Sequence, residues 1–205
     1  MLLDLFIKGG PVMWPILFCS IVALAVFLER IWVLQQKKVI PPKLLTNVRD
    51  LVEKGKISEA RALCDADSSP IAKILAAALN TAYATKEELK EAVEEAGKLE
   101  IRLLEKRVGI LGVIAAIGPL LGLLGTVTGM IRTFEVISII GTGDAGKLAG
   151  GISEALITTE FGLFVAIPAL VAHRICTSKA ENLTHYMEQS AFNILSLLKP
   201  KRVHS

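Results

Sequence analysis

The sequence predicts an all-α membrane protein with three spans and long helices that project from the bilayer into the cytoplasm. Three observations carry this. The chain has 205 residues, 52% of them hydrophobic, and a mean hydropathy of +0.54, too apolar for a soluble domain of that size. Three stretches, 11–28, 109–131 and 148–173, are wholly or almost free of charge. Each is near the roughly 20 residues that cross a hydrocarbon core of about 30 Å. The polar stretches place apolar residues three and four apart, which is the period of a helix and not of a strand.

Residues 1–10 form a short amphipathic lead-in, with Leu2, Leu3, Leu5, Phe6 and Ile7 as its apolar side, ended by Gly9-Gly10-Pro11. The first span is assigned to 11–34. Pro11 to Leu28 holds 18 uncharged residues, Trp14 and Trp32 suit the two interfaces, and Arg30 can snorkel to the headgroups. The Ala23-Leu24-Ala25 triplet imitates a signal-peptide cleavage site. Only Lys8 precedes it as a side-chain cation, and the apolar run continues past it, so a retained helix is expected.

A cytoplasmic helical region follows at 35–108. Pro41-Pro42 breaks the entry. Apolar positions Leu44, Leu45, Val48, Leu51 and Val52 mark an amphipathic helix, Gly55 a turn, and Ala60 and Leu63 a second helix. Ser68-Ser69-Pro70 introduces a helix at about 70–84. Thr85-Lys86-Glu87-Glu88 resembles a capping start, and Leu89, Ala92, Ala96, Leu99 and Leu103 form a packing seam. No terminator precedes Gly109, which allows this helix to run straight into the next span.

The second span and its periplasmic exit are assigned to 109–140. Gly118, Gly122, Gly125 and Gly129 fall within about 60° on the helical wheel, a small-residue face that lets another helix approach closely. Thr126 lies on the rim of that stripe. Pro119 should kink the helix or force a local adjustment. Arg132 and Glu135, an i,i+3 pair, mark the exit from the bilayer. A turn at 141–147 follows. Its glycines resemble a phosphate loop only superficially, because no strand precedes them and no Gly-Lys-Ser/Thr follows.

The third span, 148–172, is the stretch with chemistry in it. Between Lys147 and Arg174 lie 26 mostly apolar residues that include Glu154 and Glu160. A carboxylate at the bilayer centre costs on the order of 2.5–3.5 kcal/mol on insertion scales, so each is a functional candidate. On the wheel, Glu154 borders a small, hydroxylated arc of Ala155, Thr158, Thr159, Gly162, Ala166 and Ala169. That face suits a close helix contact or a wet crevice. Glu160 falls among large apolar residues. It is either protonated against a neighbouring subunit or a second titratable site about 9 Å along the axis from Glu154. Beyond the span, 173–205 forms a C-terminal helix with Cys176, Ala180, Leu183, Met187, Ser190, Ile194 and Leu197 at heptad-like spacing, then a basic tail. This helix is expected to pack against the 86–108 helix.

Charge placement sets the topology. Segment 29–108 carries fifteen Lys and Arg and 173–205 carries five, against Lys8, Arg132 and Lys147 on the other side. The positive-inside rule therefore puts the N-terminus in the periplasm and the C-terminus in the cytoplasm. Cys19, Cys64 and Cys176 have no paired spacing and no His cluster nearby, so neither a disulfide framework nor a metal site is expected. No catalytic constellation stands out: His173, His185 and His204 lie outside the spans, and there is no HExxH. No enzyme, cofactor or nucleic-acid partner is expected.

These features resemble the MotA/TolQ/ExbB proton-channel family. The resemblance rests on GPLLGLLGTVTGMIRTF at 118–134, GISEALITTEFGLFVAIP at 151–168, LERIW at 28–32 and the placing of the spans, and it covers nearly the whole chain. Three spans fit the ExbB/TolQ branch better than the four-span flagellar stator branch. The resemblance implies that Glu154, Thr126 and Thr159 line a proton path. It also implies a homopentamer around the single transmembrane helices of an ExbD- or TolR-like partner, whose aspartate carries protons. Such an assembly sits in a bacterial inner membrane and drives a TonB- or TolA-like protein. Glu160 departs from the pattern, standing where many ExbB sequences have a small apolar residue.

An ExbB-like role in outer-membrane transport is the leading expectation. A TolQ-like envelope-maintenance role, a gliding-motility motor and a non-conducting membrane scaffold are the alternatives. Read without the resemblance, Glu154 is equally a proton carrier or a neutral acid bridging two helices, and the two threonines back-bond to their own helices.

Overall fold

The computed structural model describes residues 2–81, 86–140 and 145–197, and every described element is an α-helix. The expected capping start at Thr85 and the 141–144 part of the glycine turn lie outside the described residues. Among the described residues, three helices are long and apolar enough to cross a membrane: α2 (Met13–Val33), α8 (Val108–Ile140) and α9 (Ala145–Leu195). α8 passes Pro119 and α9 passes Pro168 without interruption. The chain divides into two compact units, residues 1–29 with 107–175, and 30–106 with 176–205.

The first unit holds α1 (Leu2–Lys8), most of α2, α8 and the first part of α9. α1 ends in a tight turn in which Gly10 takes φ +72°, a left-handed conformation that glycine adopts without steric cost. Phe6 and Trp14 meet edge to face across this turn, with ring centroids 5.3 Å apart. α2 buries Met13 and Ile16 and leaves Trp14, Phe18, Ile21, Leu24 and Leu28 exposed. α8 starts only after a turn at Lys106-Arg107, so the preceding helix does not run through. The Arg107 guanidinium lies 2.7 Å from the Glu29 carboxylate.

The second unit is a set of short helices. It includes α3 (Gln36–Val39), α4 (Pro42–Glu53), α5 (Ile57–Asp65), α6 (Pro70–Asn80), α7 (Lys86–Glu105) and the last part of α9. Pro42 and Pro70 occupy first helical positions, where a missing N–H costs nothing. α4 ends in a Schellman motif: Gly55 N–H donates to Val52 O, Lys56 N–H donates to Leu51 O, and Gly55 takes φ +72°. The core of this unit includes Val48, Val52, Ala60, Ile71, Leu75 and Leu79. The apolar seam of α9 (Cys176, Ala180, Leu183, Met187, Ile194) is buried in it.

Two charges are buried here. Glu100, 6% exposed at its side chain, accepts from Lys73 at 3.0 Å and ties α7 to α6. Arg30 does not snorkel as the sequence implied. It is buried and donates to Leu104 O at 3.1 Å. Leu104 belongs to the last turn of α7, where carbonyls have no partner within the helix, and a guanidinium satisfies one of them.

Cys64 is a buried free thiol whose pKa burial pushes up to about 11, with Asp65 and Asp67 adding to the rise. The folded state thus favours the neutral thiol. As pH climbs from 9.0 toward 11, the unfolded chain ionises first, and this contribution to stability is lost across that window. Maleimide labelling of Cys64 at pH 8 should run on the order of 100-fold slower in the folded chain than in the denatured one, following the thiolate fraction. Equal rates would show that the α5 contacts are not closed.

Candidate functional site

The site begins with the close approach of α8 and α9. A methyl group added to Gly118 would lie 2.9 Å from the Ala166 methyl, and one on Gly122 would lie 3.0 Å from Thr159 Cα. One on Gly125 would collide with the Thr158 side chain, and one on Gly129 would lie 2.8 Å from Gly151 O. Gly162 in turn faces Gly118 O and Gly122. The two helices therefore run antiparallel with almost no side chain between their backbones, the geometry that small residues permit. Large residues face away: Leu120, Leu123 and Leu124 on α8, and Leu156, Leu163 and Phe164 on α9, are exposed.

Glu154 sits at one end of this seam. Its side chain is 17% exposed, and Oε1 lies 2.7 Å from Arg132 Nη1 on α8. Arg132 does not pair with Glu135 as the i,i+3 spacing implied. The glycines at 129 and 151 bring the two backbones together just there, so the carboxylate across the seam is within reach. Gly10 closes the other side, because a β-carbon at that position would meet the Glu154 carboxylate. Thr158, fully buried, lies beneath. Its hydroxyl is 2.6 Å from Glu154 O and 3.1 Å from Gly9 O and donates to one of these carbonyls at a time. Thr133, also buried, donates to Gly129 O at 2.9 Å.

The threonines singled out from the sequence take different settings. Thr126 is half-buried and donates to Leu123 O of its own helix at 2.7 Å. Thr159 can donate across the seam to Gly122 O at 3.2 Å or back to Ala155 O at 3.4 Å. Among the described residues no hydrogen bond joins Thr126, Thr159 and Glu154 to one another. Glu160 is exposed on the outward face of α9 and makes no hydrogen bond or ion pair with a described residue. Among the described residues no three His, Cys, Asp or Glu side chains gather as a metal site.

Sequence reasoning put Thr158 on the arc beside Glu154, but it missed Arg132 and Gly10 as members of this cluster. A signal existed for Arg132, which falls about 20° from the edge of the glycine stripe on the wheel, while Glu135 points well away from it. Nothing local marks Gly10, whose role depends on a residue far along the chain.

Comparison with known proteins gives a consistent result. Residues 66–189 match the MotA/TolQ/ExbB proton channel family. A Synechocystis sp. protein named as ExbB-like 1, for biopolymer transport, is 41% identical over 186 residues, covering 86% of this chain and 71% of the relative. The biopolymer transport protein ExbB of Salmonella typhimurium is 34% identical over 140 residues, covering 60% of this chain and 57% of the relative. The Tol-Pal system protein TolQ of Haemophilus influenzae is 45% identical over 74 residues, or 36% of this chain and 32% of the relative.

Proposed function

Because this chain belongs to the MotA/TolQ/ExbB proton channel family, we propose that it is a membrane proton-channel subunit in which Glu154 takes up and releases the transported proton. The observation that carries this reading is the placement of Glu154. A carboxylate lies in the least bulky part of an apolar helix pair, mostly shielded, with one cation and one glycine turn against it. A charge crossing 100 mV releases roughly 2.3 kcal/mol, similar to the 2.5–3.5 kcal/mol that insertion scales assign to a buried carboxylate. Thr126 and Thr159 are the hydroxyls proposed to line the path.

The working assembly is a ring of copies of this chain around an ExbD- or TolR-like single-span partner, in a bacterial inner membrane, with the N-terminus periplasmic. There it transmits the proton motive force to a TonB- or TolA-like protein, with an ExbB-like role in outer-membrane transport. Supporting the ring, Glu160 and the large apolar residues beside it form a face of α9 that the single chain leaves uncovered. Facing lipid alone, Glu160 would be costly.

The test is proton flux into vesicles containing the chain co-purified with its single-span partner, read by an internal pH dye. Glu154→Gln should assemble as the wild type does and lose at least ~20-fold in flux. An assembled Glu154→Gln complex with undiminished flux would remove Glu154 from the path.

A further inference from the structure

The geometry points to Arg132 as the positioning residue for proton transfer at Glu154: it is the fixed positive charge that Glu154 pairs with when it holds no proton. This rests on the reading of Glu154 as the carrier. The guanidinium Nη1 lies 2.7 Å from Glu154 Oε1, close enough for a charge-assisted hydrogen bond. The Arg132 side chain is 49% exposed and that of Glu154 17%, so the pair sits at the edge of the helix seam, with Arg132 the more open of the two.

The chemistry follows from what each group can exchange. Arginine does not give up its proton in a protein, so Arg132 stays cationic throughout. A proton arriving at the carboxylate forms an O–H bond on Glu154, removes its charge and ends the attraction, and Arg132 is released. Departure of that proton restores the carboxylate, and the pair closes again. No other bond is made or broken. In the hydrophobic seam an unpaired carboxylate is the unfavourable state. Without Arg132, Glu154 would keep its proton and the cycle would stall at release.

Among the described residues, Arg132 is the cation that forms an ion pair with Glu154. Of the other ionisable side chains described near the pair, Asp4 and Lys8 on α1 and Glu135 on α8 are exposed. Gly10 lies against the carboxylate, where a β-carbon would collide with it.

The test uses the co-purified complex in vesicles, with Arg132→Gln, Arg132→Lys, Glu154→Gln and the double variant Arg132→Gln/Glu154→Gln. Flux is read alongside the infrared carbonyl band of a protonated carboxyl group at neutral pH. Arg132→Gln should lose flux about tenfold or more and gain a protonated-carboxyl band that the double variant lacks. Arg132→Lys, which keeps the charge, should retain at least about a third of wild-type flux. If Arg132→Gln does not assemble but the double variant does, the unpaired carboxylate is the cause and the proposal stands. If neither assembles, Arg132 is only structural and the proposal fails. It also fails if Arg132→Gln assembles with wild-type flux and no new band while Glu154→Gln is silent. Full flux in Glu154→Gln would instead overturn the carrier reading itself.

Discussion

Replacing Gly122 with leucine is expected to abolish the folded α8–α9 pair. Even a methyl group at this position would sit 3.0 Å from Thr159 Cα and 3.3 Å from Thr159 O, which are backbone atoms that cannot swing aside. A leucine must push the helices apart. That separation breaks the Thr159 hydroxyl bond to Gly122 O and pulls Gly118, Gly125 and Gly129 off their partners together. Overpacking of a close-packed site costs typically 1–3 kcal/mol, and this one, against backbone, belongs at or beyond the upper end. Most of the variant should be missing from the folded membrane fraction, as judged by detergent extraction and size-exclusion chromatography. Gly109→Leu, at the start of the same helix with nothing within 4 Å, is the control and should extract normally. Equal yields would show that the seam is looser than these distances require.

Gly10→Ala should reduce proton flux by about tenfold or more while the assembly still forms. Two effects act at this position and can be separated. An L-residue at φ +72° carries a backbone cost of about 1–2 kcal/mol. The new β-carbon also displaces the Glu154 carboxylate from Arg132. Gly55 has the same φ of +72° with nothing within 4 Å. Gly55→Ala therefore shows the backbone cost alone and should leave flux unchanged. If Gly10→Ala behaves like Gly55→Ala in the flux assay, the lead-in turn does not hold Glu154 in the working assembly.

The fold was largely legible because its signals are local. Uncharged runs of span length, prolines at first helical positions and the apolar seam of Cys176, Ala180, Leu183 and Met187 each follow from a few neighbouring residues. Partners across space were not. For Arg132 the sequence offers Glu135, because i,i+3 neighbours are the pairs a single helix provides, whereas its partner lies 22 residues away on another helix. Arg30 ends an apolar run, which points it to the headgroups, yet the open carbonyl of Leu104 in the last turn of α7 takes it instead. Periodicity told which face Glu154 and Glu160 occupy. It could not tell that one face is covered by glycine and the other left bare, because that depends on which helices meet.

The sparse anchoring of α2 has a practical side. Phe18, Ile21, Leu24 and Leu28 form a ridge that touches little else within the chain, while Met13 and Ile16 near the start of the helix are buried. The middle of this helix is therefore where a photo-crosslinker or spin label can be installed without perturbing the ion pair, and its adducts would report which molecules surround the protein in a native membrane.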